Sequence, residues 1–347
     1  MDGRSYFERP RYGVRSIYAA VLGVAVLAAL VLGYVGTRYR SSTPPAALEK
    51  LSIAIPTVPL AALMYIAAAR GYFAEEGLEV TILPTIHGKA AVELVARGKV
   101  DLATASEVVF VLSVTKGEAV GIAASMVSSK DLAIVARRDR GIAAPRDLVG
   151  KKIGVTLGTS GEYFLWAFLI RHKLPPGSVA LVDVPPGQIA QELARGTIDA
   201  TATWQPNVLN AQLALSDNAV TWHEPLVYAQ TFNIIGRNDF LKGNFKAIEK
   251  LVRAMLKAEQ FNRAQPEEAL NLVAERLKTD VKSMRPAWEN FNFRIDLTQS
   301  QLMTLEDEAR WAVERGYVEE KQVPNFLPNL YLDALLAVQP ERVTVVH

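Results

Sequence analysis

The sequence predicts an α/β protein built as two similar lobes, on three observations. Short β-branched runs alternate with stretches of helical periodicity from about residue 51, the pattern of α/β folds rather than of segregated strands and helices. The alternation then starts again about a hundred residues later. Finally, "VARGKVDLATA" (Val95–Ala105) overlays "LARGTIDATAT" (Leu193–Thr203). Gly98 to Gly196 is an offset of 98 and Ile53 to Ile153 an offset of 100, so the two rounds share spacing at both ends.

In the first round "LSIAI" (51–55), "LEVTIL" (78–83) and "VDLATA" (100–105) read as strands. "PLAALMYIAAARGYFAEEG" and "KAAVELVARG" between them carry apolar residues at helical spacing, with glycine where each ends. The second round repeats this with "KKIGVT", "SVALVDV" and "IDATAT" as strands, separated by "EYFLWAFLIRHK" and "GQIAQELARG". In the first of these junctions, "GVTLGTSGEYFLWAFLI", Thr159 stands as N-cap with Glu162 three residues on, the spacing of a capping box. A helix start at a strand's carboxyl end also presents free N–H groups to an anion.

Ahead of the repeats, Ser16 to Thr37 holds 22 residues without a formal charge. As a helix these reach about 33 Å, against a hydrocarbon layer of about 30 Å. Arg4, Arg9, Arg11 and Arg15 precede the segment, which predicts a cytoplasmic N-terminus (1–15) and an extracytoplasmic remainder. A cleaved signal peptide would have a shorter apolar core and a small-x-small site. "YVGTRYRSS" follows here instead, so an uncleaved single-pass anchor over 16–37 is the expectation, with 38–50 as linker. Removing the six arginines and two acids of residues 1–40 from the totals of 38 and 36 leaves 32 basic and 34 acidic residues. The basic excess therefore lies beside the apolar segment, and no basic stripe for nucleic acid is present. With no cysteine, disulfides, thiolate metal sites and cysteine nucleophiles are excluded.

Ligands of open parallel sheets sit beyond the carboxyl ends of the strands, so two facing lobes share a cleft lined by six loops. In the first lobe these carry Thr57, His87 with Gly88, and Ser106 with Glu107; in the second, Thr159 with Ser160, Gly187 with Gln188, and Trp204 with Gln205. Thr57, Ser106, Thr159 and Ser160 combine a capping role with a hydroxyl donor. Trp204 offers an apolar wall, and Glu107 either favours its own helix start or pairs with an amine on a ligand. None of the arginines falls on a strand-end loop.

"GYFAEEGLEV", "ELVARGKVDLATASE", "DLVGKKIGVTLGTSGEYFL" and "ELARGTIDATATWQPNV" together resemble the substrate-binding proteins of ABC importers for nitrate, taurine and aliphatic sulfonates, a family that also includes thiamine-pyrimidine-like members. The likeness runs from about Leu51 to Pro328 and takes in "LTQSQLMTLEDEARWAVERGYV" near the C-terminus. It implies a type II periplasmic-binding-protein fold, with "KDLAIVARRD" and "YAQTFNIIGRND" as the hinge strands. Lobe 1 would comprise 51–137 with 231–347, and lobe 2 138–230. The resemblance further implies a small polar or anionic ligand, a permease and an ATPase as partners, no cofactor and no catalysis. The alternative on the same fold is a membrane-anchored module that senses a ligand or binds a partner.

Enzyme motifs fail on particular residues. "GTSGE" has Glu162 where a nucleophile elbow needs glycine, and "LVGKK" lacks the first glycine and the Ser/Thr of a phosphate-binding loop. His87, His172, His223 and His347 show no metal-ligand spacing. Thiamine-pyrimidine synthases and hydroxymethylbilane synthases share this fold but rely on cysteines.

Overall fold

The computed structural model describes residues 25–30, 47–224, 226–318 and 322–346. The chain divides into two compact units, Met1–Ala47 and Leu48–His347. Most of the expected anchor and its linker lies outside the described residues; positions 25–30 are helical with exposed side chains. Among the described residues no helix is long and apolar enough to cross a membrane.

The described residues of Leu48–His347 form eleven strands: β1 (Glu49–Pro56), β2 (Leu78–Thr85), β3 (Leu102–Ser106), β4 (Val120–Ser129), β5 (Ala133–Arg137), β6 (Lys152–Val155), β7 (Ala180–Asp183), β8 (Ala200–Thr203), β9 (Ala219–Trp222), β10 (Gln230–Arg237) and β11 (Phe291–Asp296). They form a six-stranded sheet in the order β11-β4-β10-β3-β1-β2 and a five-stranded sheet in the order β7-β6-β8-β5-β9. All six strands read from the sequence are present within a residue or two of their expected ends.

The repeat is visible in the pairing. β1 lies between β2 and β3 with both pairs parallel, and β6 lies between β7 and β8 in the same way. The antiparallel neighbour of β3 is β10, which returns from the other sheet, and that of β8 is β5, which arrives from it. Each sheet thus borrows the strand beside its third from a crossover. Central strands such as "LATAS" in β3 are buried at every position, as expected of a sheet covered on both faces by helices.

The crossovers fix where the lobes join. The chain leaves the six-stranded sheet after Ser129 and enters β5 at Ala133; it leaves the five-stranded sheet after Trp222 and re-enters the first at Gln230. β5 therefore belongs to the second sheet, ahead of the boundary expected at 137/138. Its buried "AIVA" fills the place beside β8, where a lobe of three parallel strands would leave an open edge. Gln230 likewise opens β10 in the first sheet rather than closing the second lobe.

Behind the second crossover sits a buried polar cluster. Glu107 and Glu308 are fully buried, and the Tyr228 hydroxyl lies 2.7 Å from Glu107 Oε1 and 3.1 Å from Glu308 Oε1. One hydroxyl hydrogen cannot serve two carboxylates. The consistent arrangement has Tyr228 donating to an ionised Glu107, which also accepts from the Thr231 N–H at 2.8 Å, while a protonated Glu308 donates to the Tyr228 oxygen. Burial pushes Glu107 up to about 7 against these hydrogen bonds. Burial first, and then the charge of Glu107, push Glu308 well above the ordinary carboxyl range.

A carboxyl group whose folded pKa is raised contributes most stability below its unfolded value and loses it as pH rises through the folded one. The native protein is therefore expected to lose stability between pH 5 and pH 8.5. Glu308→Gln, which donates to Tyr228 without a titrating proton, should reduce that loss by about 1–3 kcal/mol. Urea denaturation at the two pH values measures it, and an unchanged difference would refute the protonated Glu308.

Candidate functional site

The strand-end loops of both sheets and one crossover strand meet at a cavity of about 30 Å³, lined by Pro56, Val58, Leu60, His87, Gly88, Ser106, Val109, Thr159, Ser160, Trp204, Gln230 and Phe232. Such a volume holds about two water-sized spheres.

Six of the eleven loop residues expected from the sequence line it: His87, Gly88, Ser106, Thr159, Ser160 and Trp204; Gly187 does not. Thr57 does not. It is exposed, with its N–H bonded to the Thr85 carbonyl at 3.2 Å, and the apolar Pro56, Val58 and Leu60 line the cavity from that loop instead. Glu107 turns away from the cavity, its carboxylate taken up by Tyr228 and Thr231 as described. Gln188 is exposed in the short turn Pro186–Gln188. The Gln205 side chain accepts from the Leu209 N–H of its own helix at 3.3 Å, while its backbone N–H donates to Asp131 at 3.2 Å.

The helix starts carry the polar character of the site. Ser106 is the N-cap of the helix Glu107–Thr115 and Thr159 that of Ser160–Arg171, and neither makes a side-chain capping bond. The expected capping box is absent. Thr159 Oγ1 donates back to the Thr156 carbonyl at 2.6 Å, and Glu162 accepts from the Gly158 N–H at 2.8 Å. Both hydroxyl residues are buried and line the cavity. The first turns of two helices, one from each sheet, thus meet a shared space with donors that no side chain has claimed. The helix Gly88–Ala96 differs, because His87 Nδ1 accepts from the Ala90 N–H at 3.0 Å. That bond places the ring hydrogen on Nε2, and burial holds His87 below its ordinary pKa, in the neutral form.

No Arg, Lys, Asp or Glu is among the lining residues. Attraction for an anion rests on helix dipoles and hydroxyls, and Val58, Leu60, Val109, Trp204 and Phe232 supply apolar walls. Gln230 and Phe232 were not among the expected residues. They alternate along β10, so both face the same side of the strand, a signal legible in "YAQTF" once that run is taken as a crossover strand beside the cleft.

Glu162 joins the two layers of the molecule. On the helix that follows β6, it accepts from Arg315 Nη2 at 3.2 Å and from the Tyr317 hydroxyl at 2.5 Å, both just beyond the helix Gln299–Glu314 of the other layer. Beside it Tyr163 stacks edge-on against Tyr228 and Trp311, with ring centres 4.9 and 5.4 Å apart. The clasp lies one turn behind Thr159 and Ser160.

Two α/β lobes, two crossovers and a cavity at the strand ends define a protein of the periplasmic-binding-protein fold. The chain belongs to the NMT1/THI5-like family, whose model matches residues 59–269. It is 27% identical over 212 residues to the taurine-binding periplasmic protein of Escherichia coli, covering 58% of this chain and 63% of that one. It is 25% identical over 233 residues to the formylaminopyrimidine-binding protein of Halalkalibacterium halodurans, covering 65% and 70%. Its fold matches the crystal structure of the periplasmic aliphatic sulphonate binding protein SsuA from Escherichia coli with a TM-score of 0.71 and 15% identity, over 82% of this chain and 98% of that one.

Gly161 sets how closely the cleft helix approaches β8. A Cβ there would lie 2.8 Å from the Ala202 carbonyl oxygen and 3.5 Å from the Trp204 ring. Glycine to alanine in an open helix is stabilising, by up to about 1 kcal/mol. Gly161→Ala should instead destabilise by about 1–3 kcal/mol, the usual range for overpacking, and shift the fluorescence of Trp204. A stabilised variant in chemical denaturation would contradict this packing.

Proposed function

We propose that this chain is the extracytoplasmic solute-binding component of an ABC importer, closing two lobes on a small polar or anionic molecule of the sulfonate, taurine, nitrate or related class. One observation carries the reading: two helix N-termini without side-chain caps, from separate sheets, converge on one cavity. A group with several acceptor oxygens satisfies both at once, and only while the lobes are together. Family membership and the names of the taurine- and sulphonate-binding relatives support the same ligand classes.

In this reading lobe 1 is the six-stranded sheet with its C-terminal helices and lobe 2 the five-stranded sheet. The segments 130–132 and 226–229 act as the hinge. A cavity of about 30 Å³ is smaller than taurine or a pyrimidine, so the lobes part to admit the ligand and close on it less tightly than they meet here. The clasp between Glu162 and Arg315 with Tyr317 favours the closed state, and the ligand adds its own preference for that state. The apolar segment 16–37 tethers the protein on the outer face of the membrane, where a permease and its ATPase take the ligand from it. No covalent chemistry is involved: the cavity offers a neutral His87 already engaged as a helix cap and no carboxylate partner for it.

Full-length protein in detergent, screened by thermal shift against taurine, alkanesulfonates, nitrate and formylaminopyrimidine, should respond to at least one. A ligand at a hundred times its Kd adds about 2.7 kcal/mol, a rise of roughly 5 °C or more. A flat response across the panel would count against the reading. Glu162→Gln weakens the clasp without touching the cavity. It should raise the Kd of the ligand found by about tenfold, since each ~1.4 kcal/mol of lost closure free energy is a factor of ten. Unchanged affinity in calorimetry would show that the clasp does not report closure.

A further inference from the structure

Gln230 is the amide-bearing side chain among the residues that line the cavity, and Asp131 controls which end of it the ligand meets. Asp131 is 2% exposed and sits in the first crossover, between β4 and β5. Its Oδ1 accepts from Gln230 Nε2 at 2.8 Å and from Ser129 Oγ at 2.5 Å, and its Oδ2 accepts from the Gln205 backbone N–H at 3.2 Å. One carboxylate thereby joins both crossovers to the loop that carries Trp204.

The chemistry of these three bonds is directional. A carboxylate with three donors around it acts only as an acceptor, so the Gln230 amide turns its nitrogen to Asp131. Its carbonyl oxygen takes no hydrogen bond from any described residue, and it is the end left for the cavity that Gln230 lines. The opposite walls are donors: the backbone N–H groups at the helix starts after Ser106 and Thr159, the Ser106 and Ser160 hydroxyls, and His87 with its hydrogen on Nε2. The cavity is therefore polarised, with donors along the strand-end loops and one fixed acceptor on the crossover strand.

Resting on the solute-binding reading above, we infer that Asp131 is a positioning residue that locks Gln230 as a hydrogen-bond acceptor. The cleft thereby selects ligands that carry an N–H donor, such as an amine, ammonium or amide, opposite their acceptor oxygens. Nitrate and simple alkanesulfonates lack that donor and leave the Gln230 oxygen unpaired in a closed, desolvated site. A site built around a hydrogen bond rejects an analogue that cannot make it much more strongly than an apolar pocket rejects a missing methylene.

Substitution at Asp131 makes a specific forecast because the Gln205 N–H belongs to the backbone and cannot turn away. In Asp131→Asn the new side-chain oxygen must stay on Gln205, which places its NH2 against Gln230. The Gln230 amide then reverses and shows its nitrogen to the cavity. In the double variant Asp131→Asn with Gln230→Glu, the Asn NH2 donates to a carboxylate whose other oxygen again faces the cavity, restoring the acceptor.

Calorimetry on the full-length protein in detergent, using matched probe pairs, tests this: taurine against ethanesulfonate, β-alanine against propionate, and an aminopyrimidine against the unsubstituted pyrimidine. The native protein should prefer the donor-bearing member of the pair it binds by about tenfold or more. Asp131→Asn should bring that ratio to about twofold or below, and the double variant should bring it back, a recovery that mere structural damage at Asp131 would not produce. Should Asp131→Asn fail to fold, Gln230→Met removes the acceptor directly and should abolish the preference. Binding with no donor preference in the native protein, or a preference that survives Gln230→Met, overturns the assignment while leaving the solute-binding reading intact. No binding of any probe overturns both.

Discussion

The helices Glu107–Thr115 and Ser160–Arg171 begin without a side-chain cap, and the rest of the cleft follows from that constraint. The first N–H groups of a helix need acceptors, and Ser106 and Thr159 both decline the local solution. Thr159 spends its hydroxyl hydrogen on the Thr156 carbonyl, and Glu162, placed to close a capping box, faces the opposite lobe. In the proposed reading the donors are left to a ligand held between lobes. Binding through two half-sites of this kind would cost little when the lobes are together and be lost when they part, which is how the proposed reading couples occupancy to closure. Gly161 lets the second helix approach β8 closely enough for its first turn to reach the cavity.

Three buried carboxyl groups lie where the chain passes between the sheets. Glu107, Glu308 and Asp131 are each at most 2% exposed, and each is bonded to a residue of the second crossover: Tyr228, Thr231 or Gln230. Apolar packing would hold a crossover as firmly but with less definite register, whereas hydrogen bonds to carboxylates tolerate little displacement. If the crossovers act as the proposed hinge, they must return their strands to one geometry after each opening and have use for that. The proton retained by Glu308 lets two carboxylates share a dry site with one tyrosine.

Much of the architecture could be read from the chain. The β-branched runs, the glycines ending each helix and the Ala-Arg-Gly repeat located six strands and the correspondence between the sheets, because those features arise from local backbone requirements. Crossover strands were recognised but their sheet membership was not: β5 reads as continuing the first lobe, and only pairing with β8 across 64 residues or more assigns it to the second. Cavity-lining residues on helix starts, such as Ser106 and Ser160, are legible because strand ends and caps leave a local signature. Gln188 and Gln205 occupy equivalent loops, yet one faces solvent and the other caps its own helix, outcomes set by tertiary placement. Gln230, Phe232 and Asp131 depend on the relation of the two crossovers, which no local pattern encodes, and Glu107 is turned aside by Tyr228, 121 residues away in the chain.

Absence of cysteine from the sequence makes the central claim, closure on a solute, directly measurable. Cysteines introduced at Glu93 and Gln191, exposed positions on equivalent helices of the two lobes, would accept a pair of spin labels. The distance between them can then be followed by pulsed electron resonance in the full-length protein, with and without a saturating ligand. The account predicts a broad distribution that narrows and shortens on binding, as a population of open molecules closes. A distribution unchanged while calorimetry shows the site filled would contradict it.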